Sequence, residues 1–211
     1  MPLPRPMKKL HCLTVGPLAE NCYLLWEDAP APRPGLVVDP GDDFPKIRDF
    51  LESESIRPLG VLLTHAHFDH IGALPALTEA YGVPVWCPEA DQPLYHSPDN
   101  GMPPWYPAVK NLPPLSSAPL PEFGFQALNT PGHSPGSTSY YFPEEGLVLT
   151  GDTLFAGSVG RTDLPGGSET VLMHSIRTVL FSLPPKTLVF PGHGPRTTIG
   201  IERMDPFFGM P

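Results

Sequence analysis

The chain has 211 residues, of which 32 are Pro and 20 are Gly, a content that by itself suggests disorder or a fibrous protein. Leu, Ile, Val and Phe make up about 26% of the residues, above the ~20% below which a packed core becomes implausible. Gly shows no three-residue period, so a collagen helix is excluded. The formal net charge of -9 disfavours nucleic acid, whose phosphates would be repelled.

Cysteine content and hydropathy predict a reducing, cytoplasmic environment without membrane contact. Cys12, Cys22 and Cys87 form no Cys-x-x-Cys pair, so they are interpreted as buried free thiols. The sequence contains no apolar run of ~20 residues, so no membrane span is predicted. Polar and turn-forming residues interrupt the apolar stretch at 10–19, which argues against a signal peptide.

The N-terminal half alternates strands with helices. Residues 1–6 have Pro at every second position. They are predicted to form a loose tail ahead of a single domain spanning 7–211. A helix from His70 to Tyr81 is predicted, with Pro75 in its first turn and Gly82 as its stop. The other predictions are strands at 7–15, 21–26, 59–64 and 83–86 and a helix at 44–53, and residues 35–42 are a short apolar run that a turn ends.

Residues 84–121 contain 11 of the 32 prolines and are predicted to be an irregular excursion. This segment is either a rim of the functional site or a mere connection. Beyond it the pattern predicts strands at 123–130, 138–142, 146–150 and 187–190 and an amphipathic helix at 170–181. Strands that alternate with helices in this way indicate an α/β fold.

The segment LLTHAHFDHIG, residues 62–72, concentrates polar side chains at the end of a predicted strand. His65 and His67 are two residues apart, so an extended chain directs both imidazoles to one side. Asp69 and His70 follow where the chain turns into a helix. Burying these groups together without partners would be costly, and a metal site resolves that cost.

Three further candidate ligands, His133, Asp152 and His193, each follow a predicted strand. Strands of an α/β sheet commonly carry functional residues at one edge, so all the candidates are expected to converge. Seven ligands exceed the four of one tetrahedral zinc but suit two metals about 3.5–4 Å apart that share a carboxylate. Ligands without Cys favour zinc, iron or manganese over copper(I).

The motifs THAHFDH, PGHSPGS, TGDTLF and PGHGP resemble those of the metallo-β-lactamase superfamily, and most closely its short, single-domain glyoxalase II branch. The resemblance extends from about Met7 to the C-terminus. It implies a four-layer αββα sandwich, an α/β fold with the metals at one edge between the sheets.

The resemblance also implies a distribution of ligands around two divalent cations, zinc in the first instance and iron or manganese as alternatives. Asp152 would bridge the two cations, and Asp39 in VVDPG would support ligands without binding a metal. The implied sets are His65, His67 and His133 for the first cation and Asp69, His70 and His193 for the second.

By the same resemblance, a metal-bridging hydroxide would hydrolyse a small-molecule thioester such as S-lactoylglutathione, with Asp69 and Asp152 as the catalytic carboxylates. Arg161 matches a basic residue that meets a glutathione carboxylate, or else it holds the Gly-rich loop in place. Longer relatives continue past the position of His193 into a helical domain that contacts glutathione, so the thiol carrier stays open. The expected oligomeric state is a monomer or homodimer.

An Fe(II)-dependent glutathione persulfide dioxygenase is the alternative, because such enzymes resemble this sequence in the same motifs. It would use one iron on His65, His133 and Asp152, a two-His-one-carboxylate set. A β-lactamase is disfavoured, since many such enzymes have Cys where this chain has Asp152. A non-catalytic binding domain is disfavoured because the ligand set is intact.

Overall fold

A computed structural model describes residues 8–117 and 123–208. The predicted loose tail at 1–6 lies outside the described residues, as does part of the Pro-rich segment. The assignment of 7–211 to one domain stays a prediction.

The first sheet has five strands in the order β1-β2-β3-β4-β5. The first three strands pair antiparallel, and β3, β4 and β5 run parallel. Its strands are β1 (Lys8–Val15), β2 (Glu20–Glu27), β3 (Arg33–Val38), β4 (Ile56–Leu62) and β5 (Val85–Trp86).

The second sheet also has five strands, in the order β12-β11-β8-β7-β6, and β8 and β11 run parallel. β9 and β10 form a separate two-stranded hairpin. The strands are β6 (Gln126–Asn129), β7 (Thr138–Phe142), β8 (Leu147–Gly151), β9 (Leu154–Phe155), β10 (Ser158–Val159), β11 (Leu188–Pro191) and β12 (Thr197–Thr198).

Six α-helices connect and cover these sheets in the described part of the chain. The longest, α1 and α5, have ten residues each. The helices are α1 (Phe44–Ser53), α2 (Phe68–Ile71), α3 (Leu74–Tyr81), α4 (Gln92–Tyr95), α5 (Glu169–Thr178) and α6 (Ile199–Met204). None of the helices in residues 8–117 and 123–208 has the length and apolar character needed to cross a bilayer.

Alternation along the strands produces four layers. Leu24 packs under the helices α1 and α3, while its neighbour Leu25 faces the second sheet. In β8, Val148 packs against α5 while Leu149 faces the first sheet. Strands such as β2 and β8 therefore bury both faces. The chain is confirmed as an αββα sandwich, with helices outside and two sheets inside.

The predicted helix at 70–81 is wrong at its start, because the structure breaks it into α2 and α3. The amide of Ala73 donates to Pro40 O at 3.0 Å, so its hydrogen-bond acceptor lies outside the helix. A Cβ at Gly72 would overlap the carbonyl oxygen of Gly41, so close packing of this loop sets the break. Pro75 does lie in the first turn of α3, and Gly82 caps it with a left-handed conformation, as predicted.

The expectation of buried thiols holds for Cys22 and Cys87 and is wrong for Cys12, which is exposed. Cys12 lies on β1, the outer strand of its sheet, on the face opposite to the buried Leu13. The Pro-rich segment also contains more regular structure than predicted, namely α4 and two 3-10 turns at Glu89–Asp91 and Pro98–Asn100.

Candidate metal centre

The loops that follow β3, β4, β6, β8 and β11 meet at one edge of the sandwich. They carry, in chain order, Asp39, the segment 64–70, His133, Asp152 and His193. Hydrogen bonds join the two sheets at this edge, from Tyr23 Oη to Pro191 O at 2.6 Å and from Tyr140 Oη to Leu63 O at 2.6 Å. The predicted convergence of strand ends is therefore present.

Three imidazoles form the first cluster. His133 Nε2 lies 2.9 Å from His67 Nδ1 and 3.2 Å from His65 Nε2. All three side chains are buried, and their nitrogen atoms could hold one metal ion. This is the set that the sequence predicts for the first cation.

Asp69, His70 and His193 form the second cluster, again as predicted. Asp69 Oδ2 lies 3.3 Å from His193 Nε2. Asp152 Oδ1 lies 3.3 Å from His70 Nε2, and its Oδ2 lies 3.6 Å from both His133 Nε2 and His193 Nε2. The Asp152 carboxylate thus stands between the two clusters.

Hydrogen bonds on the outer side of the imidazoles determine which ring nitrogen faces inward. His133 Nδ1 faces the carbonyl oxygen of Arg161 at 2.7 Å, and His193 Nδ1 faces that of Leu18 at 3.1 Å. A carbonyl oxygen only accepts, so both Nδ1 atoms carry the proton. In the neutral ring, the Nε2 lone pair is then left to point into the cluster.

Asp39 fixes two more imidazoles in the same way. It accepts from the Thr64 hydroxyl at 2.6 Å and from His70 Nδ1 at 3.0 Å. The Thr64 hydroxyl in turn lies 3.0 Å from His65 Nδ1 and accepts its proton. Asp39 adopts a left-handed backbone conformation (φ 49°), which Asp tolerates better than most residues. Asp39 therefore bonds the His70 ring directly and reaches His65 through Thr64. Its role as a support for ligands stays a prediction, because Asp39, His65 and His70 are also close enough to hold a metal ion.

The inward atoms lack protein partners that would satisfy them. His70 Nε2 and Asp152 Oδ1 are buried and lie 3.3 Å apart, without a well-oriented hydrogen bond among the described residues. A cation between them would satisfy both atoms. Nitrogen and carboxylate donors match zinc, iron or manganese, so the residues present fit a pair of divalent ions. Their assignment as ligands stays a proposal.

Burial and neighbouring charges shift the pKa values of the histidines in opposite directions. Desolvation, aided by neighbouring imidazoles, lowers the pKa of His65 well below its usual value and that of His67 to about 3. Burial also acts on His70 and His193, but Asp152 and Asp69 outweigh it and raise the pKa of both. Protonation is therefore favoured at His70 and His193 and disfavoured at His65 and His67.

Two buried carboxylates near the clusters escape sequence-based prediction. Asp91, in the Pro-rich segment, accepts from Ala66 N at 3.1 Å, from Ser134 Oγ at 2.8 Å and from Gly136 N at 2.6 Å. It therefore ties the loop of His65 and His67 to the loop of His133. Glu20 is 1% exposed and lies 3.7 Å from His70 Nδ1, and burial raises its pKa well above the usual value.

No local signal in the sequence marks either carboxylate. Asp91 lies 21 residues after His70 in a stretch whose prolines predict no regular structure. Glu20 directly precedes the ordinary strand predicted at 21–26. It lies close to the second cluster because its backbone pairs with that of His193 across the two sheets.

Arg161 contacts the candidate metal centre through its backbone. Its carbonyl oxygen accepts from His133, whereas its guanidinium is half exposed and pairs with Asp163 at 2.7 and 2.8 Å. The backbone of Arg161 thus orients an imidazole. Contact of its side chain with a substrate carboxylate stays a prediction.

A sandwich whose edge collects five His and two Asp in this order defines a class of metal-dependent hydrolases. Residues 15–193 match the family model of the metallo-β-lactamase superfamily. The chain belongs to this superfamily, which confirms the resemblance stated from the motifs.

Curated relatives cover almost the whole chain. The probable metallo-hydrolase YqgX of Bacillus subtilis is 40% identical, over 94% of this chain and 97% of its own length. The hydroxyacylglutathione hydrolase GloC of Haemophilus influenzae is 34% identical, with the same coverage.

Two solved structures with the same fold belong to differently named proteins. TTHA1623 in a di-iron-bound form is 44% identical, with a TM-score of 0.81, over 93% of this chain and 99% of its own. The B3 metallo-β-lactamase BLEG-1 is 37% identical, with a TM-score of 0.84, over 95% and 99%.

Proposed function

We propose that the protein is a cytoplasmic hydrolase of small acyl thioesters that works with two divalent cations. The observation that carries this proposal is the Asp152 carboxylate, which lies between two three-residue clusters with one oxygen toward His70 and the other toward His133 and His193. The relative named hydroxyacylglutathione hydrolase supports a thioester substrate, including S-lactoylglutathione.

In the proposed reaction, the acyl C–S bond breaks and a C–O bond to the oxygen of water forms, which releases a carboxylic acid and a thiol. Two divalent cations, when bound, acidify water and polarise the acyl carbonyl. His65, His67 and His133 would hold one cation through neutral imidazoles, and Asp69, His70 and His193 would hold the other. The negative charges of Asp69 and Asp152 would hold the cations beside the reacting acyl group.

The proposal is tested by metal content together with activity on S-lactoylglutathione. We expect two metal ions per chain, zinc before iron or manganese, and turnover that Asp152→Asn reduces at least ~100-fold because it removes the charge shared by both clusters. Asp28→Asn is the matched control, since this exposed carboxylate pairs with Lys9 far from the clusters. Full turnover with a single metal per chain would contradict the two-cation proposal.

A persulfide dioxygenase is the second candidate, and one geometric observation favours it. His65, His133 and Asp152 form a contiguous two-His-one-carboxylate set, with separations of 3.2 and 3.6 Å along it. Oxygen consumption with glutathione persulfide that depends on Fe(II), without hydrolysis of S-lactoylglutathione, would establish this alternative. Hydrolysis of nitrocefin in the same assay would instead favour β-lactam substrates, as for BLEG-1.

A further inference from the structure

A cavity of about 190 Å³ opens beside the second cluster. Asp69 lies in its wall, and so does Leu18, whose carbonyl oxygen accepts from His193. The cavity therefore begins at the candidate metal ligands. Its far side is closed by Tyr106 and Val109 of the Pro-rich segment.

The walls of this cavity are held in place by packing. The rings of Phe68 and Tyr106 stack with their centroids 4.8 Å apart and an interplanar angle of 17°. The backbone of Val109 is fixed by a hydrogen bond from its amide to Asn100 Oδ1 at 3.0 Å. On the opposite side, a Cβ at Gly41 would overlap the carbonyl oxygen of Asp69, so the two loops are in direct contact. The cavity is thus formed before any ligand arrives.

The lining is apolar except at its margins. Its apolar lining residues include Val15, Leu18, Phe68 and Val109, and Asp42 and Asp69 are the charged residues of the described lining. With carboxylates and no Lys or Arg among the lining residues that the structure describes, the cavity disfavours an anionic group such as a glutathione carboxylate. An uncharged, apolar group suits it.

We propose that this cavity binds the acyl group of the substrate and selects apolar acyl groups up to the size of a phenyl ring. A cavity of about 150 Å³ in another protein accommodates benzene, so 190 Å³ suffices for a branched aliphatic or aromatic group. This inference rests on the proposed thioester hydrolysis and narrows its substrate class. The thiol carrier then lies outside the cavity, and Tyr106 and Val109 of the Pro-rich segment contact the acyl group.

The test compares acyl groups on one neutral carrier, N-acetylcysteamine, with the metal-loaded protein. We expect kcat/KM for isovaleryl and phenylacetyl thioesters to exceed that for the acetyl thioester by on the order of tenfold or more. Val109→Phe fills the cavity and should reduce this ratio about tenfold, whereas Tyr106→Ala enlarges it and should raise the ratio for phenylacetyl. Val171→Phe, on the exposed face of α5, is the matched control and should leave the ratio unchanged.

A second measurement separates this inference from the proposed function. Calorimetry on the metal-free protein follows the binding of uncleavable thioethers with phenylethyl or ethyl groups, and we expect tighter binding of the former, lost in Val109→Phe. Thioether selectivity without hydrolysis of any thioester would contradict the proposed function and leave the cavity assignment standing. Hydrolysis with no acyl preference, or a preference that Val109→Phe and Tyr106→Ala both leave unchanged, would overturn the inference.

Discussion

At the scale of single residues, the two histidine clusters differ in the protons that they hold. The pKa of His70 and His193 is raised by Asp152 and Asp69, and that of His65 and His67 is lowered by burial. Only neutral imidazole binds metal. A cation that binds the second cluster must therefore displace protons from His70 and His193, whereas a cation that binds the first cluster displaces none from His65 and His67.

We therefore expect zinc affinity at the second cluster to rise with pH, because the raised pKa of His70 and His193 means that zinc must displace protons there in the metal-free protein. The first cluster should show no such dependence, since His67 is already neutral above a pKa of about 3. Calorimetric titrations in buffers of different ionisation enthalpy count the protons released. His174→Gln, on an exposed face of α5, should leave that count unchanged, whereas zero proton release at pH 6.5 would contradict the expectation.

Asp91 leads to a prediction about stability. Asp91→Ala leaves the amides of Ala66 and Gly136 and the hydroxyl of Ser134 without their acceptor in a buried place. We expect the free energy of unfolding of the metal-free protein to fall by about 2–4 kcal/mol, measured by urea denaturation. The exposed neighbour Glu89, changed to Ala, should alter it by less than about 0.5 kcal/mol. Equal effects of the two substitutions would refute a special role for Asp91.

Residue types in the motifs were sufficient to predict which side chains converge, and insufficient to predict what holds them. His65, His67 and His133 each have a motif around them, because metal ligands require particular residue types. Asp91 and Glu20 have none, since any carboxylate placed there by the fold would serve. Their proximity depends on distances between segments that are remote in sequence, and local patterns do not encode those distances.

At the scale of elements, the β9–β10 hairpin packs against the centre through a glycine. A Cβ at Gly160 would overlap the carbonyl oxygen of Asp152 and approach His133 Nδ1 to 3.2 Å. In the same hairpin, a Cβ at Gly157 would meet no atom of the described residues within 4 Å.

Gly160→Ala should therefore displace Asp152 and lower metal content and activity together. Gly157→Ala costs strain from its left-handed conformation (φ 70°), about 1 kcal/mol, and should retain both metals. Metal analysis and the thioester assay on the two variants check this. Full metal content in Gly160→Ala would show that the hairpin can shift without disturbing the ligands.

Elements with strong local periodicity were predicted well, and elements decided by tertiary contacts were not. Helix α1 at Phe44–Ser53 and strand β7 at Thr138–Phe142 agree with the predicted bounds. The break between α2 and α3 depends on contact of the loop at Gly72 with the loop at Gly41. Strand β6 is shorter than the predicted 123–130, and the short β9, β10 and β12 and α6 were not predicted, since two to six residues carry little periodicity.

At the scale of the whole molecule, an ion pair joins the two sheets away from the centre. Lys8 Nζ on β1 lies 2.9 Å from Glu145 Oε1 in the turn before β8, and both side chains are less than 10% exposed. Lys9 pairs with Asp28 at the same distance but with both side chains about half exposed.

Lys8→Ala should destabilise the protein by about 3 kcal/mol, because it leaves the Glu145 carboxylate buried and unpaired. Lys9→Ala should cost less than about 1 kcal/mol, since water screens the exposed pair. Denaturation of both variants in urea at pH 7 compares them. If Lys8→Ala costs no more than Lys9→Ala, Glu145 reaches water in the absence of its partner.

The layered architecture itself followed from the resemblance, and the strand pattern is consistent with it because strands buried on both faces read as continuous apolar runs. The pairing of the sheets did not follow from composition or periodicity. It depends on contacts such as Tyr23 Oη to Pro191 O, which join residues 168 positions apart.

The spread of the clusters along the chain also bears on how the protein acquires its metals during synthesis. The first cluster lacks His133 until the segment after β6 has been made, and the second lacks His193 until the segment after β11 has been made. A nascent chain emerging from the ribosome therefore presents His65, His67 and His70 before either cluster is complete. We therefore expect metal loading to be coupled to closure of the last long-range contacts, and not to the appearance of the first motif.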